Sequence, residues 1–273
     1  MKSTTERLAV TAMMLAASTL LSSVIKLLDL PYGGSVTLAS ALPVMVVSFR
    51  YGTPWGLLAG LAHGLIQLVL GRNTLSYVTG AASVAAVIIL DYLLAFTFYG
   101  LAGVFRKMKS QPAAFVLGAF VVSVLRYISH VISGCTVWAG LSIPTEAALQ
   151  YSLIYNATYM LPEMLILIVV SYYISSALDL QSAELRPLKT SETGLVPRIL
   201  AYIAGALVAA AAIFDIVSIF SKTQDAETGE FYAQALVEIP WILMLVVTLV
   251  LSASAAALLI VRHRIRETQK EAA

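Results

Sequence analysis

Three short stretches place polar and ionisable side chains where apolar ones would be expected. They are ILDYLLAF over Ile89 to Phe96, LRYISHVISGCTVWAG over Leu125 to Gly140, and YSLIYNATYMLPE over Tyr151 to Glu163. On insertion scales a charge at the centre of a membrane helix costs roughly 2.5 to 3.5 kcal/mol, so such residues mark a binding site or a buried pair. Asp91, His130 and Asn156, with Trp138 and Tyr151, Tyr155 and Tyr159 around them, suit non-covalent recognition. The carboxylate compensates a positive charge, each ring face adds roughly 0.5 to 2 kcal/mol of cation–π attraction, and the imidazole and carboxamide supply directional hydrogen bonds. A planar heteroaromatic cation fits this set best.

Asp91 carries most of that reading. A histidine inside a membrane is often a satisfied packing group, and aromatic residues near span ends commonly form interfacial belts. Asp91, however, has no basic residue within one helical turn, which leaves pairing across helices, protonation or a ligand. Arg126 and Glu163 fall at matching depth, roughly 18 to 20 Å below the outer face at 1.5 Å per residue, and are expected to form a structural ion pair. The same rise puts His130 about 12 Å and Asn156 about 10 Å below it. Asp91 joins them if the chain from Tyr77 to Ser83 is partly loop.

The elements that position these groups follow from composition. With 59% hydrophobic residues, 12% charged and a mean hydropathy of +0.87, the chain is an integral membrane protein. Spans need about 20 apolar residues, and eight candidates occur, at 8–28, 35–50, 53–71, 80–105, 112–139, 149–178, 197–221 and 237–261. The second is short and contains Pro43, so it is expected to be tilted or broken. Cytoplasmic loops retain Lys and Arg. With both termini inside, thirteen basic residues fall in cytoplasmic segments and only Lys26, Arg72 and Lys222 outside, Arg126 being left within a span. The net charge of +2 thus reports topology, and no nucleic-acid partner is implied.

The expected fold is all-α, with a six-helix core over residues 1–180, a cytoplasmic linker over 181–196, and a further two-helix transmembrane hairpin with a basic tail over 197–273. Asp215 and Glu238 are expected at the wet outer ends of that hairpin. The apolar run after Arg7 has no convincing cleavage site before Lys26 and is kept as the first span. Cys135 is the single cysteine, which excludes an internal disulfide and a cysteine metal cluster. No metal or cofactor is expected, and none of the three histidines stands in an HExxH arrangement, so an intramembrane enzyme is disfavoured. Gly56, Gly60 and Gly64 form a small ridge assigned to internal packing, and His63 is expected to be packed or hydrogen-bonded inside. Ala12 and Ala16 form a second small face, open to internal packing or to a partner helix.

Taken in order, GGSVTLASALP (Gly33 to Pro43), RYGTPWGLLAGLAHGL (Arg50 to Leu65) and the three polar stretches resemble the thiamine-specific substrate-binding (S) subunit of energy-coupling factor vitamin transporters. The resemblance covers about Leu8 to Leu178. It implies a six-helix S-component-like bundle in a bacterial cytoplasmic membrane that binds thiamine from outside and passes it to a transmembrane coupling protein and ATPase subunits. It implies ligand contacts from Asp91 and Tyr92, His130 and Trp138, and Tyr151 and Asn156, with Tyr32 and Tyr77 helping to close the pocket. Ala12 and Ala16 would face the coupling protein. Asp91 stands where the family expects Glu, and the C-terminal hairpin lies outside the six-helix pattern. The chain has no GxxxxGK[ST] loop, so a partner must supply ATP hydrolysis. Remaining alternatives are an S subunit for a related vitamin or a thiamine-precursor pyrimidine, and a stand-alone proton-coupled transporter using Asp91 or Glu163.

Overall fold

The computed structural model describes residues 4–30, 34–137, 145–182, 185–188, 194–223 and 232–271, which divide into two compact units, Met1–Pro187 and Leu188–Ala273. The first unit runs α1 (Thr4–Ser23), the antiparallel strands β1 (Lys26–Asp29) and β2 (Ser35–Thr37), α2 (Leu42–Tyr51) and α3 (Thr53–Leu70). After a 3₁₀ segment at Arg72–Tyr77 come α4 (Ala81–Lys107), α5 (Gln111–Thr136), α6 (Glu146–Ala177) and a two-residue ladder of β3 (Leu178–Asp179) with β4 (Arg186–Pro187). The second unit is a hairpin of α7 (Leu195–Thr223) and α8 (Trp241–Glu271), joined in part by a 3₁₀ turn at Ala233–Glu238.

Among the described residues, six helices are long and apolar enough to cross a membrane, namely α3 to α8. The other two expected spans take a different form. The first is the 20-residue α1 followed by β1. The second is β2, a turn with Ala39 in the left-handed region at φ 54°, and the 10-residue α2, whose start Pro43 pre-organises. Ten helical residues reach only about 15 Å. Nearly all of residues 36–50 are buried, so protein covers the non-helical backbone there, as apolar surroundings require.

Small residues let α2, α3 and α4 approach closely. A Cβ on Gly100 would overlap the backbone of Gly56 and Leu57, and one on Gly60 would lie 2.6 Å from the Phe96 carbonyl. Ser48 fills the gap, donating to the Gly100 carbonyl and accepting from the Gly103 N–H at 3.0 Å. Where lipid is as apolar as the side chains, such backbone approach and van der Waals packing hold helices together. The glycine ridge of α3 accordingly faces inward. His63 beside it is fully buried, with Nε2 3.3 Å from Ser18 Oγ. Phe49 and Phe115 meet edge to face at 5.2 Å in the core that joins α2 to α5.

One expectation for the hairpin is overturned. Asp215 is not a wet carboxylate: it is 1% exposed and accepts a hydrogen bond from Thr248 Oγ1 at 2.7 Å, bridging α7 and α8. A polar partner on the facing helix replaces water. Glu238 is exposed.

Candidate ligand-binding site

α4 departs from regular helix where the chemistry lies. Residues Ile88–Leu94 form a π-helical stretch, the kind of irregularity that concentrates at functional sites, and it buries the consecutive side chains of Asp91 and Tyr92. The helix begins only at Ala81, after the 3₁₀ segment and a short loop, which brings Asp91 level with α5 and α6. α5 and α6 are started by side-chain caps, Ser110 Oγ accepting from Ala113 N and Thr145 Oγ1 from Ala148 N.

Between these three helices lies a cavity of about 240 Å³ whose wall includes Asp91, Tyr92, Arg126, His130, Tyr151 and Asn156. The Asp91 carboxylate is not solitary. Its Oδ1 lies 2.7 Å from His130 Nδ1, and its Oδ2 accepts from Ser133 Oγ at 2.7 Å. His130 and Ser133, three residues apart, share the face of α5 turned to α4. A carboxylate opposite Nδ1 assigns the proton to that nitrogen. In the neutral ring this leaves Nε2 as the acceptor, buried and without a hydrogen-bond partner among the described residues.

α6 contributes a ladder of rings at i, i+4 and i+8. Tyr151, 43% exposed, stacks on Tyr155 at 6.0 Å and 10°, and Tyr155 meets Tyr159 edge on at 5.9 Å. The ladder runs from the mouth of the cavity to its buried interior. Asn156 is oriented by Nδ2 donating to the Ser152 carbonyl at 2.8 Å and by Oδ1 accepting from Tyr159 at 2.8 Å. Tyr92 Oη donates to the Gly71 carbonyl at 3.0 Å and so ties α4 to the end of α3. Arg126 Nη1 meets Glu163 Oε2 at 2.6 Å, while Thr37 Oγ1 donates to Glu163 Oε1.

Tyr77 is 56% exposed on the 3₁₀ segment and does not line the cavity. Tyr32 and Trp138 fall outside the described residues. Ala12 and Ala16 are exposed on α1, away from the core that its Met14 and Leu15 pack against. Sequence reasoning missed Ser133, Ser152 and Gly34. The i+3 spacing from His130 was a usable signal for Ser133. Gly34 lines the cavity, and a Cβ there would come within 2.9 Å of the Tyr159 ring.

Residues 8–181 match the family model described as thiamine transporter protein (Thia_YuaJ). The thiamine transporter ThiT of Bacillus subtilis (strain 168) is 35% identical over 175 residues, which is 60% of this chain and 87% of that protein. The match spans the unit that holds the cavity, and α7 and α8 lie beyond it. The chain therefore belongs to the thiamine transporter protein family, a family of membrane transport proteins and not of enzymes.

Proposed function

We propose that this protein is the thiamine-binding subunit of an energy-coupling factor importer, taking thiamine from outside the membrane and delivering it through an ATP-driven partner module. The carrying observation is the buried Asp91 carboxylate in the wall of an aromatic cavity between α4, α5 and α6. A cation that also offers flat heteroaromatic rings uses the acid, the ring faces and the hydrogen-bonding groups of that wall. Asp91 compensates the charge, Tyr92 and Tyr151 supply ring faces, and His130 Nε2 and Asn156 read hydrogen-bonding groups. Trp138 and Tyr32 belong to the proposed ligand shell on the strength of the family resemblance.

The chain crosses the membrane eight times with both termini cytoplasmic. The distribution of Lys and Arg supports this, with α1 and the β2 to α2 segment making the two crossings beyond the six long apolar helices. The exposed Ala12 and Ala16 face of α1 is the docking surface for the coupling protein; its small side chains allow close helix approach. Arg126 and Glu163 hold α5 to α6.

The test is a fluorescence titration of detergent-purified protein with thiamine, its phosphates and other vitamins, with Trp138→Phe as control. Saturable quenching by thiamine at micromolar concentration or below is expected. Quenching by a different vitamin with none by thiamine would reassign the substrate.

A further inference from the structure

Arg126 stands in the wall of two cavities. One is the aromatic cavity; the other is a small void of about 10 Å³ on its far side, lined also by Glu163, Tyr99 and Ser40. Glu163 does not line the aromatic cavity. Arg126 packs its guanidinium over the rings of Phe96 and Tyr99, at 5.3 and 5.8 Å, and its Nε is buried with no hydrogen-bond partner among the described residues.

This arrangement poses an electrostatic problem. A guanidinium keeps its proton in a protein, so a full positive charge is fixed in the wall of a chamber that takes a cation. Of the groups lining that chamber, the carboxylate of Asp91 and the guanidinium of Arg126 cancel formally. The carboxylate that leaves the region net negative is Glu163, one residue behind the wall and in contact with Arg126 at 2.6 Å. Thr37 and Arg126 satisfy one oxygen each, so the carboxylate is anchored where it compensates the guanidinium. Coulomb energies across a protein interior remain substantial at such separations.

We infer that Glu163 is a specificity-determining residue: without touching the ligand, it neutralises Arg126 and makes the cavity select a cation over the same rings bearing an anionic tail. The inference rests on the reading of the cavity as a thiamine site. Glu163 acts through Arg126 and is a positioning and charge-balancing residue.

The experiment compares three ligands on the purified full chain: thiamine, thiamine monophosphate, and the neutral aminopyrimidine half of thiamine measured by competition. In Glu163→Gln, which keeps an acceptor for Arg126 but removes the charge, thiamine affinity falls at least about tenfold. Monophosphate affinity falls less or rises, so the thiamine to monophosphate ratio drops at least about tenfold, while the neutral half changes less than about twofold. Glu163→Asp retains the parental ratio. Equal weakening of all three ligands in Glu163→Gln means a structural role only and overturns the inference. If Glu163→Gln does not fold, the double variant Arg126→Gln with Glu163→Gln carries the test. Both charges are then absent, and the ratio stays within about threefold of the parent; a tenfold drop overturns the inference. Failure of the unaltered protein to bind thiamine would remove the thiamine reading first, and this inference with it.

Discussion

The carboxylate of Asp91 on α4 lies 2.7 Å from Nδ1 of His130 on α5, so the acid and the imidazole of the cavity wall form one unit. Each fixes the other: the acid sets the ring's orientation and tautomer, and the ring holds the acid against the cavity wall. Asp91→Asn keeps the shape and removes the charge. We expect thiamine affinity to fall about 10- to 100-fold, the range for losing a charged hydrogen bond. Titration of Asp91→Asn, His130→Gln and the double variant should give non-additive losses, with a coupling of about 0.5 to 3 kcal/mol.

Ser133 donates to the other oxygen of Asp91 at 2.7 Å. Ser133→Ala leaves that oxygen one donor short and is expected to weaken thiamine binding by roughly 0.5 to 1.5 kcal/mol, about 2- to 12-fold. Thermal unfolding in detergent should move little. A large stability loss with unchanged affinity would assign Ser133 to packing instead.

Gly134 faces Ser152 so closely that a Cβ would strike its hydroxyl oxygen. The Ser152 hydroxyl is held there by donating to the Val131 carbonyl at 2.9 Å. Gly134→Ala should destabilise the protein by about 1 to 3 kcal/mol through overpacking. Gly134→Ala combined with Ser152→Gly should recover part of the lost thermal stability.

The cavity and the family match both lie within the first compact unit. A chain ending after Pro187 is therefore expected to bind thiamine within about twofold of the full protein. In the full chain, Asp215→Ala should destabilise the hairpin by roughly 1 to 3 kcal/mol by stranding Thr248, with thiamine affinity unchanged. A loss of binding on truncation would place the hairpin in the binding machinery.

Ala12 and Ala16 are exposed on α1 and are not among the groups that line the cavity. Ala12→Leu with Ala16→Leu should leave fluorescence titrations unaltered while abolishing co-purification with the coupling protein and thiamine uptake. Normal uptake in this variant would remove α1 from the docking surface.

Composition and spacing settled the solvent, the helical class and the three polar stretches. Bilayer chemistry leaves few options: 59% hydrophobic residues and runs of about 20 must become buried helices, and charges among them must be accounted for. The match in depth of His130 and Asn156 followed from helical rise alone. The condition set for Asp91, a partly looped Tyr77 to Ser83, is met by the late start of α4 at Ala81. Local pattern could not reveal that α4 turns π-helical at Asp91, that a seryl hydroxyl joins the Asp91 and His130 pair, or that Asp215 is sealed against Thr248. Each depends on which face of one helix meets another. That choice is made by tertiary packing, through close backbone approach at Gly56, Gly60 and Gly100, and periodicity along a single helix carries no record of it.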